Sequence, residues 1–453
     1  MKAVKWGAIA LGLVLLASPA WANSYYVRGD GSGSDTNDGS AWSSATPGVG
    51  AFATLQKALD SIPWEAANDP SLSSGAHTIY VQASSGAQAY DVAKRTVGYT
   101  GSAGRALDME FQGGWTNVDV TAVQSGVSVI KDLDGGKDES GIQIDGGGHY
   151  TWKRVVVNQF DILDVKHGIN IDTPSSMDRA DVVVTVTDTD IVAQQWGVRL
   201  NYPKPYTSTG WGGPCQITAQ DVDIVAGQGG STGDGIYIRG AWMGSSIGAS
   251  AGEFSTVTSA QGSGVWFSAV NNETHDATFE DLVVYNCSAE GIHLDAGRDG
   301  TNLYRVQGTL ENCTIADNGG DGLEMAGRTS NSWANVTDSI FANNGGSGID
   351  LGESGYSNFT CTENHNILFG DDIVVCGTAQ ALDANDFATD PLFYGGTAPY
   401  PYYRIASTGS PAYLSDNDGL MRGAVQDVPP VPEPAGLGLV GLALLGLKRK
   451  KRS

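Results

Sequence analysis

The feature that most constrains this 453-residue chain is a four-residue pattern that returns through its centre: glycine, an apolar residue, any residue and a second apolar residue. Its eight copies begin at glycines 141, 168, 197, 235, 264, 291, 322 and 348, so successive copies are 26 to 38 residues apart. A repeat in this length range is typical of a solenoid, in which each unit packs on the next.

Apolar positions inside each copy alternate, and a period of two predicts β-strands rather than helices. Each repeat also has a second short apolar strand upstream, as at residues 182–184, 222–224, 282–284, 314–315 and 339–341. The sequence lacks the Leu-x-x-Leu-x-Leu frame of leucine-rich repeats and the long amphipathic windows of helical repeats. It therefore predicts an all-β fold, a right-handed parallel β-helix whose coils occupy residues 67–380.

The segment ahead of the coils, residues 23–66, is predicted to contain a strand and one helix. Apolar residues at helical spacing occur there at Phe52, Leu55, Ala58, Leu59 and Ile62. A helix at this place would cap the open end of the solenoid, where a strand edge would otherwise be left unpaired.

The first 22 residues have the organisation of a secretory signal. Lys2 and Lys5 precede a short apolar run, and an Ala-Trp-Ala cleavage site ends at Ala22. The run is shorter than the roughly 20 apolar residues that a membrane span needs. We therefore expect an exported protein.

The last 22 residues, 432–453, form a second sorting element. Pro432, Glu433 and Pro434 precede an apolar run, and five basic residues follow it at 448–452. The order of these three elements resembles the PEP-CTERM sorting segment. That resemblance implies recognition by an exosortase at the membrane, in bacteria that secrete exopolysaccharide, and a final location at the cell surface or in the extracellular matrix. The alternative is a permanent single-pass membrane anchor.

The segments that flank the coils are similar to those of exported bacterial right-handed β-helix proteins. Tyr25-Tyr26-Val27 at the start and Gly409-Ser410-Pro411-Ala412 in the closing segment and linker, residues 381–431, carry this resemblance. Tyr413-Leu414-Ser415 departs from the short Ile-Asp turn that usually follows in the family. The resemblance implies architecture but no single activity, since this fold occurs in lyases, hydrolases, adhesins and inert surface proteins.

The net charge of the chain narrows its possible partners. Asp and Glu outnumber Lys and Arg by 50 to 26, and a net charge of -24 argues against nucleic-acid binding, which needs clustered basic residues.

The five cysteines are an odd number, so at least one is expected to be unpaired. Cys361 and Cys376 flank a short segment and are the pair predicted to form a disulfide.

The repeat also predicts which side chains face solvent. The two apolar residues of each copy point inward, so the residue between them points outward and stacks about 4.8 Å from its counterpart in the next coil. We call this set the outward column, and it consists of Gln143, Asn170, Arg199, Tyr237, Trp266, His293, Glu324 and Asp350.

Aromatic and basic residues meet in the middle of the outward column. Tyr237 and Trp266 are neighbours there, with Arg199 and Arg239 close by, and Trp211 lies in the longest loop between repeats. Aromatic faces stack on the apolar C–H faces of sugar rings, so these five residues are a predicted substrate-binding site for a polysaccharide. The alternative is that Tyr and Trp are present because they are good strand formers.

Three titratable residues, His293, Glu324 and Asp350, follow on consecutive positions of the outward column. Two carboxylates about 5 Å apart match the spacing of a retaining glycosidase pair, and such a pair should raise the pKa of one of its members, as a general acid needs. These residues are the predicted catalytic group. The alternative is that outward positions are polar simply because they meet water.

Asp145 and Asp172 are stacked next to the start of the outward column. Stacked carboxylates repel unless a cation lies between them, and Ca²⁺ accepts such oxygen clusters. Pectate-lyase-like β-helices use calcium on this kind of face, but the sequence contains no complete lyase or polygalacturonase motif. We expect at most a structural Ca²⁺ and no required cofactor.

The sequence thus predicts an exported surface or matrix protein that associates with carbohydrate or exopolysaccharide without turnover. The alternative is a polysaccharide lyase or glycoside hydrolase that acts in a groove on the outer face.

Overall fold

A computed structural model describes most of the chain between residues 24 and 405. The described residues are 24–43, 48–62, 77–85, 88–97, 105–119, 121–146, 150–172, 181–201, 215–230, 232–240, 244–249, 254–268, 274–295, 305–326, 332–352, 359–391, 393–394 and 404–405. The predicted signal, the sorting segment and Trp211 lie outside them. No helix among the described residues has the length and hydropathy to span a bilayer.

Most strands belong to one sheet of 20 strands that forms two faces of the solenoid. Its members are Ser24–Val27, His77–Gln82, Tyr90–Asp91, Arg105–Thr116, Val123–Gln124, Ser128–Lys131, Tyr150–Asn158, Phe160–Val165, Asp181–Ala193, Cys215–Ala226, Ser245–Gly248, Ser255–Ser259, Thr274–Glu280, Leu282–Tyr285, Arg305–Glu311, Thr314–Ala316, Ser332–Thr337, Ile340–Ala342, Phe359–Asn364 and Ile367–Phe369. We call this the large sheet.

The third face is a separate sheet of 11 strands, which we call the second sheet. Its members are Ala93–Val97, Ser140–Gly146, His167–Asp172, Val198–Asn201, Ile236–Arg239, Val265–Ser268, Ile292–Asp295, Leu323–Ala326, Ile349–Leu351, Ile373–Val375 and Thr378–Ala379. All neighbours pair in parallel except the last two strands, which are antiparallel. A further antiparallel pair joins Phe393–Tyr394 to Arg404–Ile405.

Each coil therefore contributes two segments to the large sheet and one to the second sheet, and the predicted right-handed parallel β-helix is confirmed. The corner between the two faces of the large sheet is made by single residues with left-handed backbone conformation. In seven of the coils these are Gln159, Asp188, Asp221, Asp281, Asn312, Asp338 and His365. Asn and Asp adopt this conformation more readily than other residues with side chains, which explains their enrichment at the corner.

The interior is filled by the apolar residues of the repeat. Ile236 and Ile238 in one coil and Val265 and Phe267 in the next are completely buried, as the alternating pattern predicts. The repeat glycine is needed because the coils approach closely: a Cβ on Gly235 would lie 2.5 Å from the carbonyl oxygen of the next repeat glycine, Gly264. Any larger residue there would push two coils apart.

The predicted capping helix is present as Leu55–Ser61, shorter than its apolar window. It begins at Thr54, whose side chain accepts a hydrogen bond from the Lys57 amide. The Gln56 side chain donates to the carbonyl of Lys94 at 2.9 Å and accepts from its N–H at 2.8 Å. The helix thus satisfies backbone groups on the first strand of the second sheet, as a cap must.

Two details differ from the expectation. The N-terminal strand Ser24–Val27 pairs in parallel with His77–Gln82, so it is part of the stack instead of preceding it. The predicted disulfide is wrong, because Cys361 and Cys376 are free thiols. Cys361 lies on a strand of the large sheet, whereas Cys376 follows a strand of the second sheet, so the two occupy different faces of the solenoid.

Candidate functional site

The outward column is aligned as the repeat predicted. On the second sheet Arg199 pairs with Tyr237 and Tyr237 with Trp266. The register continues from Trp266 through His293 and Glu324 to Asp350. The residues that flank these positions along each strand are buried, so the column lies on the outer side of the second sheet. Asn170 departs from the prediction, because it is only 4% exposed.

A groove of about 410 Å³ lies over the middle of the column. It brings together four of the five predicted substrate-binding residues, Arg199, Tyr237, Arg239 and Trp266. Its other lining residues are Trp196, Asn201, Thr232, Gly233, Asp234, Gln261, Gly262, Ser263, Ala289 and Glu290. A site of this size, with aromatic surface and a few polar groups, is suited to a small ligand or to part of a polymer.

Aromatic rings form a continuous run through the groove. The ring centroids of Trp196 and Tyr237 are 6.0 Å apart, and those of Tyr237 and Trp266 are 6.1 Å apart. Trp266 also contacts the His293 ring edge-on at 5.3 Å. Trp266 is 38% exposed, which is unusual for a tryptophan and leaves much of its ring available to a ligand.

Arg199 is held firmly at one side of the groove. Its guanidinium lies 4.9 Å from the centre of the Trp196 ring and donates a hydrogen bond to Asn170 Oδ1 at 3.1 Å. It also lies 3.6 Å from the Asp172 carboxylate. A cation that is stacked and hydrogen-bonded in this way keeps a fixed orientation toward whatever enters the groove.

The groove wall was not among the predicted features, and it is built from the residues that immediately precede the repeat glycines. Trp196 donates from Nε1 to Asp234 Oδ2 at 3.3 Å, and the amide of Ser263 donates to Asp234 Oδ1 at 2.9 Å. Ser263 Oγ in turn donates to Glu290 Oε2 at 2.8 Å. Burial raises the pKa of Asp234 to about 6 despite these hydrogen bonds. These residues share a position one residue before each repeat glycine, but alternation does not predict where a side chain in that turn points.

The three predicted catalytic residues also lie together, but their pairing differs from a simple carboxylate pair. His293 Nδ1 is 2.6 Å from Glu324 Oε2, so the imidazole and the Glu324 carboxylate are hydrogen-bonded. Burial opposes the charged form of His293, yet the hydrogen bond and charge of Glu324 outweigh it and raise the pKa of the imidazole. Through this contact the His293 imidazole and the Glu324 carboxylate can share one proton at the end of the groove.

Asp350 lies on the next strand of the second sheet, beside Glu324. Its pKa is raised to about 6, first by burial and then by the charges of Asp321, Glu324 and Asp372. Its Oδ1 atom is buried and accepts no hydrogen bond. A carboxyl group in this setting keeps its proton to a higher pH than a free aspartic acid, as a general acid must.

Asp145 and Asp172 are adjacent and in register, as predicted, but each already has partners within the protein. Asp145 accepts from Gln143 Nε2 at 2.9 Å and lies 3.6 Å from Lys94 Nζ. Asp172 accepts from Asn201 Nδ2 at 3.1 Å and lies near Arg199. These amide and cationic groups offset the repulsion that suggested calcium, and a Ca²⁺ ion between the two carboxylates stays a prediction.

One comparison with known proteins identifies the family. The sequence profile of the right-handed β-helix region matches residues 140–370. A crystal structure of pectate lyase Pel9A is similar over 89% of this chain and 94% of its own, with 14% identity and a TM-score of 0.37. No curated protein matches the sequence.

Proposed function

Because this chain belongs to the right-handed β-helix family, whose fold has no single activity, we propose from its groove that it binds a polysaccharide. One observation carries the proposal: Tyr237 and Trp266 are neighbours on adjacent strands and line the same groove as Arg199 and Arg239. The aromatic rings offer stacking surface for sugar rings, and the guanidinium groups offer donors for hydroxyl or carboxylate oxygens.

The direction of the groove suits an extended chain. The run from Trp196 through Tyr237 and Trp266 follows the axis of the solenoid and crosses successive coils. A polymer laid along this axis would meet one aromatic ring after another. The two arginines also provide local positive charge on a protein with a net charge of -24, which would otherwise repel an acidic polymer.

We further propose that the protein performs this binding outside the cell. The support comes from residues 1–22 and 432–453, whose sequences resemble a secretory signal and a PEP-CTERM segment. Under this proposal an exosortase and the membrane are transient partners, an exopolysaccharide is the lasting one, and nucleic acid is not a partner.

The test is affinity for a panel of neutral and acidic polysaccharides, measured by calorimetry on the purified protein. Trp266→Ala should weaken binding by about 30-fold, the cost of removing a central aromatic contact. Trp333→Ala is the matched control, because Trp333 is half-buried on a strand of the large sheet, away from the groove. Equal effects of the two substitutions, or no binding by the parent protein, would contradict the proposal.

A second candidate function is polysaccharide cleavage, by a lyase or a glycoside hydrolase. The contact between His293 and Glu324 favours it, because a base–carboxylate pair lies next to the groove with Asp350 on the following strand. Glu324→Gln should then abolish release of reducing ends or unsaturated products while polysaccharide affinity is kept. Glu311→Gln, at an exposed position of the large sheet, is the control. Turnover that survives Glu324→Gln would remove these residues from a catalytic role.

A further inference from the structure

Three potential metal ligands meet at the end of the groove. Glu290 precedes the strand Ile292–Asp295, His293 lies on that strand, and Glu324 lies on the next one. One oxygen or nitrogen atom from each side chain lies within 4.8 Å of those of the other two. We propose that these three residues, the His293 cluster, bind one divalent transition-metal ion such as Zn²⁺.

The chemistry of the donors selects the kind of ion. An imidazole nitrogen with two carboxylates suits Zn²⁺ and similar first-row ions, whereas Ca²⁺ and Mg²⁺ prefer sites made of oxygen alone. Ligand atoms around Zn²⁺ lie about 2.0 to 2.2 Å from the metal, so separations of 4.8 Å or less need only small side-chain rotations to converge. Three protein ligands leave a fourth position open.

The charges around the cluster favour a cation. Burial is the main reason that the pKa of Asp321 is raised, and the charges that raise it further belong to Glu324, Glu290 and Asp372, all of them acids. Asp350, on the strand after Glu324, contributes a further carboxylate whose buried Oδ1 atom has no hydrogen-bond partner. Several carboxylates around one histidine leave an excess of negative charge, and a divalent ion would offset it.

Neighbouring residues hold two of the ligands in place. Ser263 Oγ donates to Glu290 Oε2 at 2.8 Å, and the Trp266 ring packs against His293. Partners of this kind orient metal ligands in known sites. Glu290 and Trp266 both line the groove, so the ion would bind beside it. The ion could bind whether or not the groove takes a polysaccharide, so the two proposals are independent.

A second group, Asp132, Asp134 and Asp138, also places three carboxylate oxygens within reach of one another. It has no imidazole, and two of its members are exposed, which is common for acidic residues that bind no metal. This group therefore serves as an internal comparison for the His293 cluster.

The experiment is calorimetric titration of tag-free, chelator-treated full-length protein with zinc chloride. We expect one saturable site per chain with micromolar or tighter affinity. Glu290→Gln, which keeps side-chain volume, should weaken Zn²⁺ binding by at least tenfold, and His293→Ala should weaken it further. Circular dichroism and the melting temperature verify that each variant is folded, and Glu290→Gln keeps the test decisive if His293→Ala does not fold.

The controls address the other residues that could capture zinc. His365→Ala removes an imidazole that lies 3.8 Å from a carboxylate outside the cluster, and it should leave binding unchanged. Asp134→Asn and Cys361→Ser should also leave it unchanged. The proposal is overturned if the parent protein shows no saturable binding, if Glu290→Gln binds normally, or if one of the three controls abolishes binding. Polysaccharide affinity measured in chelator reports separately on the groove.

Discussion

Two stacks of polar residues run along this solenoid, and they differ in where their hydrogen bonds go. One is a corner ladder inside the turns before the second sheet, formed by Cys287, Asn318, Asn344 and Asp371. Asn318 accepts from the Cys287 amide at 3.0 Å and donates to Asn344 Oδ1 at 2.9 Å. Asn344 then donates to Asp371 Oδ2 at 2.6 Å. In this ladder the corner residue of each coil hydrogen-bonds the corner residue of the next coil.

The other stack is the outward column, in which adjacent coils supply only some of the partners: Arg199 donates to Asn170, and His293 contacts Glu324. Between these pairs, the side chains of Tyr237 and Trp266 meet through their rings, and within the described part of the chain Asp350 Oδ1 is buried without a hydrogen-bond donor. Both stacks follow the same repeat, so register cannot explain the contrast. It teaches that a polar column with all its partners supplied by adjacent coils is structural, whereas a column with spare donors, acceptors and rings is available for a ligand.

The largest expected effect comes from breaking the corner ladder. Asn344→Leu would remove the side-chain hydrogen bonds that Asn344 makes with Asn318, the Ile315 carbonyl and Asp371 Oδ2, inside a turn where Asn344 is 7% exposed. We expect a loss of about 3 to 5 kcal/mol in the free energy of unfolding, measured by urea denaturation. Polysaccharide affinity should stay unchanged at temperatures where the variant is folded.

The matched control is Asn335→Leu, because Asn335 is half-buried on the outer side of the strand Ser332–Thr337. It should change the free energy of unfolding by less than about 1 kcal/mol. If the two substitutions cost the same, the corner ladder does not stabilise the coils and the contrast between the stacks fails.

A smaller loss of stability is expected from a substitution at Gly235, the repeat glycine just before Tyr237 of the outward column. In Gly235→Ala the added methyl would lie 2.3 Å from Val257 Cγ1 and 2.5 Å from the Gly264 carbonyl, so two coils must separate. We expect a cost of about 1 to 3 kcal/mol in the free energy of unfolding. Polysaccharide affinity should also fall, because the displaced strand carries Tyr237.

Gly308→Ala provides the comparison for that substitution. Its added methyl would meet Leu294 Cδ1 at 3.3 Å, a side-chain end that can move. The variant should be close to the parent in the free energy of unfolding and in polysaccharide affinity. A Gly235→Ala protein as stable as Gly308→Ala would show that the repeat glycine is not needed for close packing.

The fold and the outward column were predictable because both depend on one local rule, alternation after a glycine. That rule identified Arg199, Tyr237 and Trp266 as neighbours although they are far apart in sequence. The groove wall was not predicted, because Trp196, Asp234 and similar residues lie in turns, where alternation stops and side-chain direction depends on the turn.

Contacts that depend on side-chain conformation could not be predicted from the sequence either. The sequence placed Glu324 beside Asp350 but gave no sign that the imidazole of His293 would engage Glu324. It also gave no sign that Asp145 would meet Lys94, a residue of the first strand of the second sheet. The cysteine pairing was wrong for a similar reason, since nearness in sequence does not show which face of a coil a residue occupies.

The smallest expected effect is a pH dependence of the corner ladder. The pKa of Asp371 is raised to about 6, mainly by burial, although hydrogen bonds from Asn344 oppose the shift. A carboxyl with a folded pKa above its unfolded value near 3.8 binds its proton more tightly in the folded protein. Its stabilising contribution is therefore complete below about pH 4 and is lost as the pH rises through about 6.

Asp371→Asn removes this titration, so the difference in the free energy of unfolding between parent and variant should vary with pH. We expect the parent to lose about 1 kcal/mol relative to the variant between pH 4 and pH 8, allowing for solvent screening of a half-buried group. Urea denaturation at several pH values measures it, and subtracting the two profiles cancels the other acids. Parallel profiles would mean that Asn344 stabilises the Asp371 carboxylate as well as water does, so the ladder would tolerate a charge at its end.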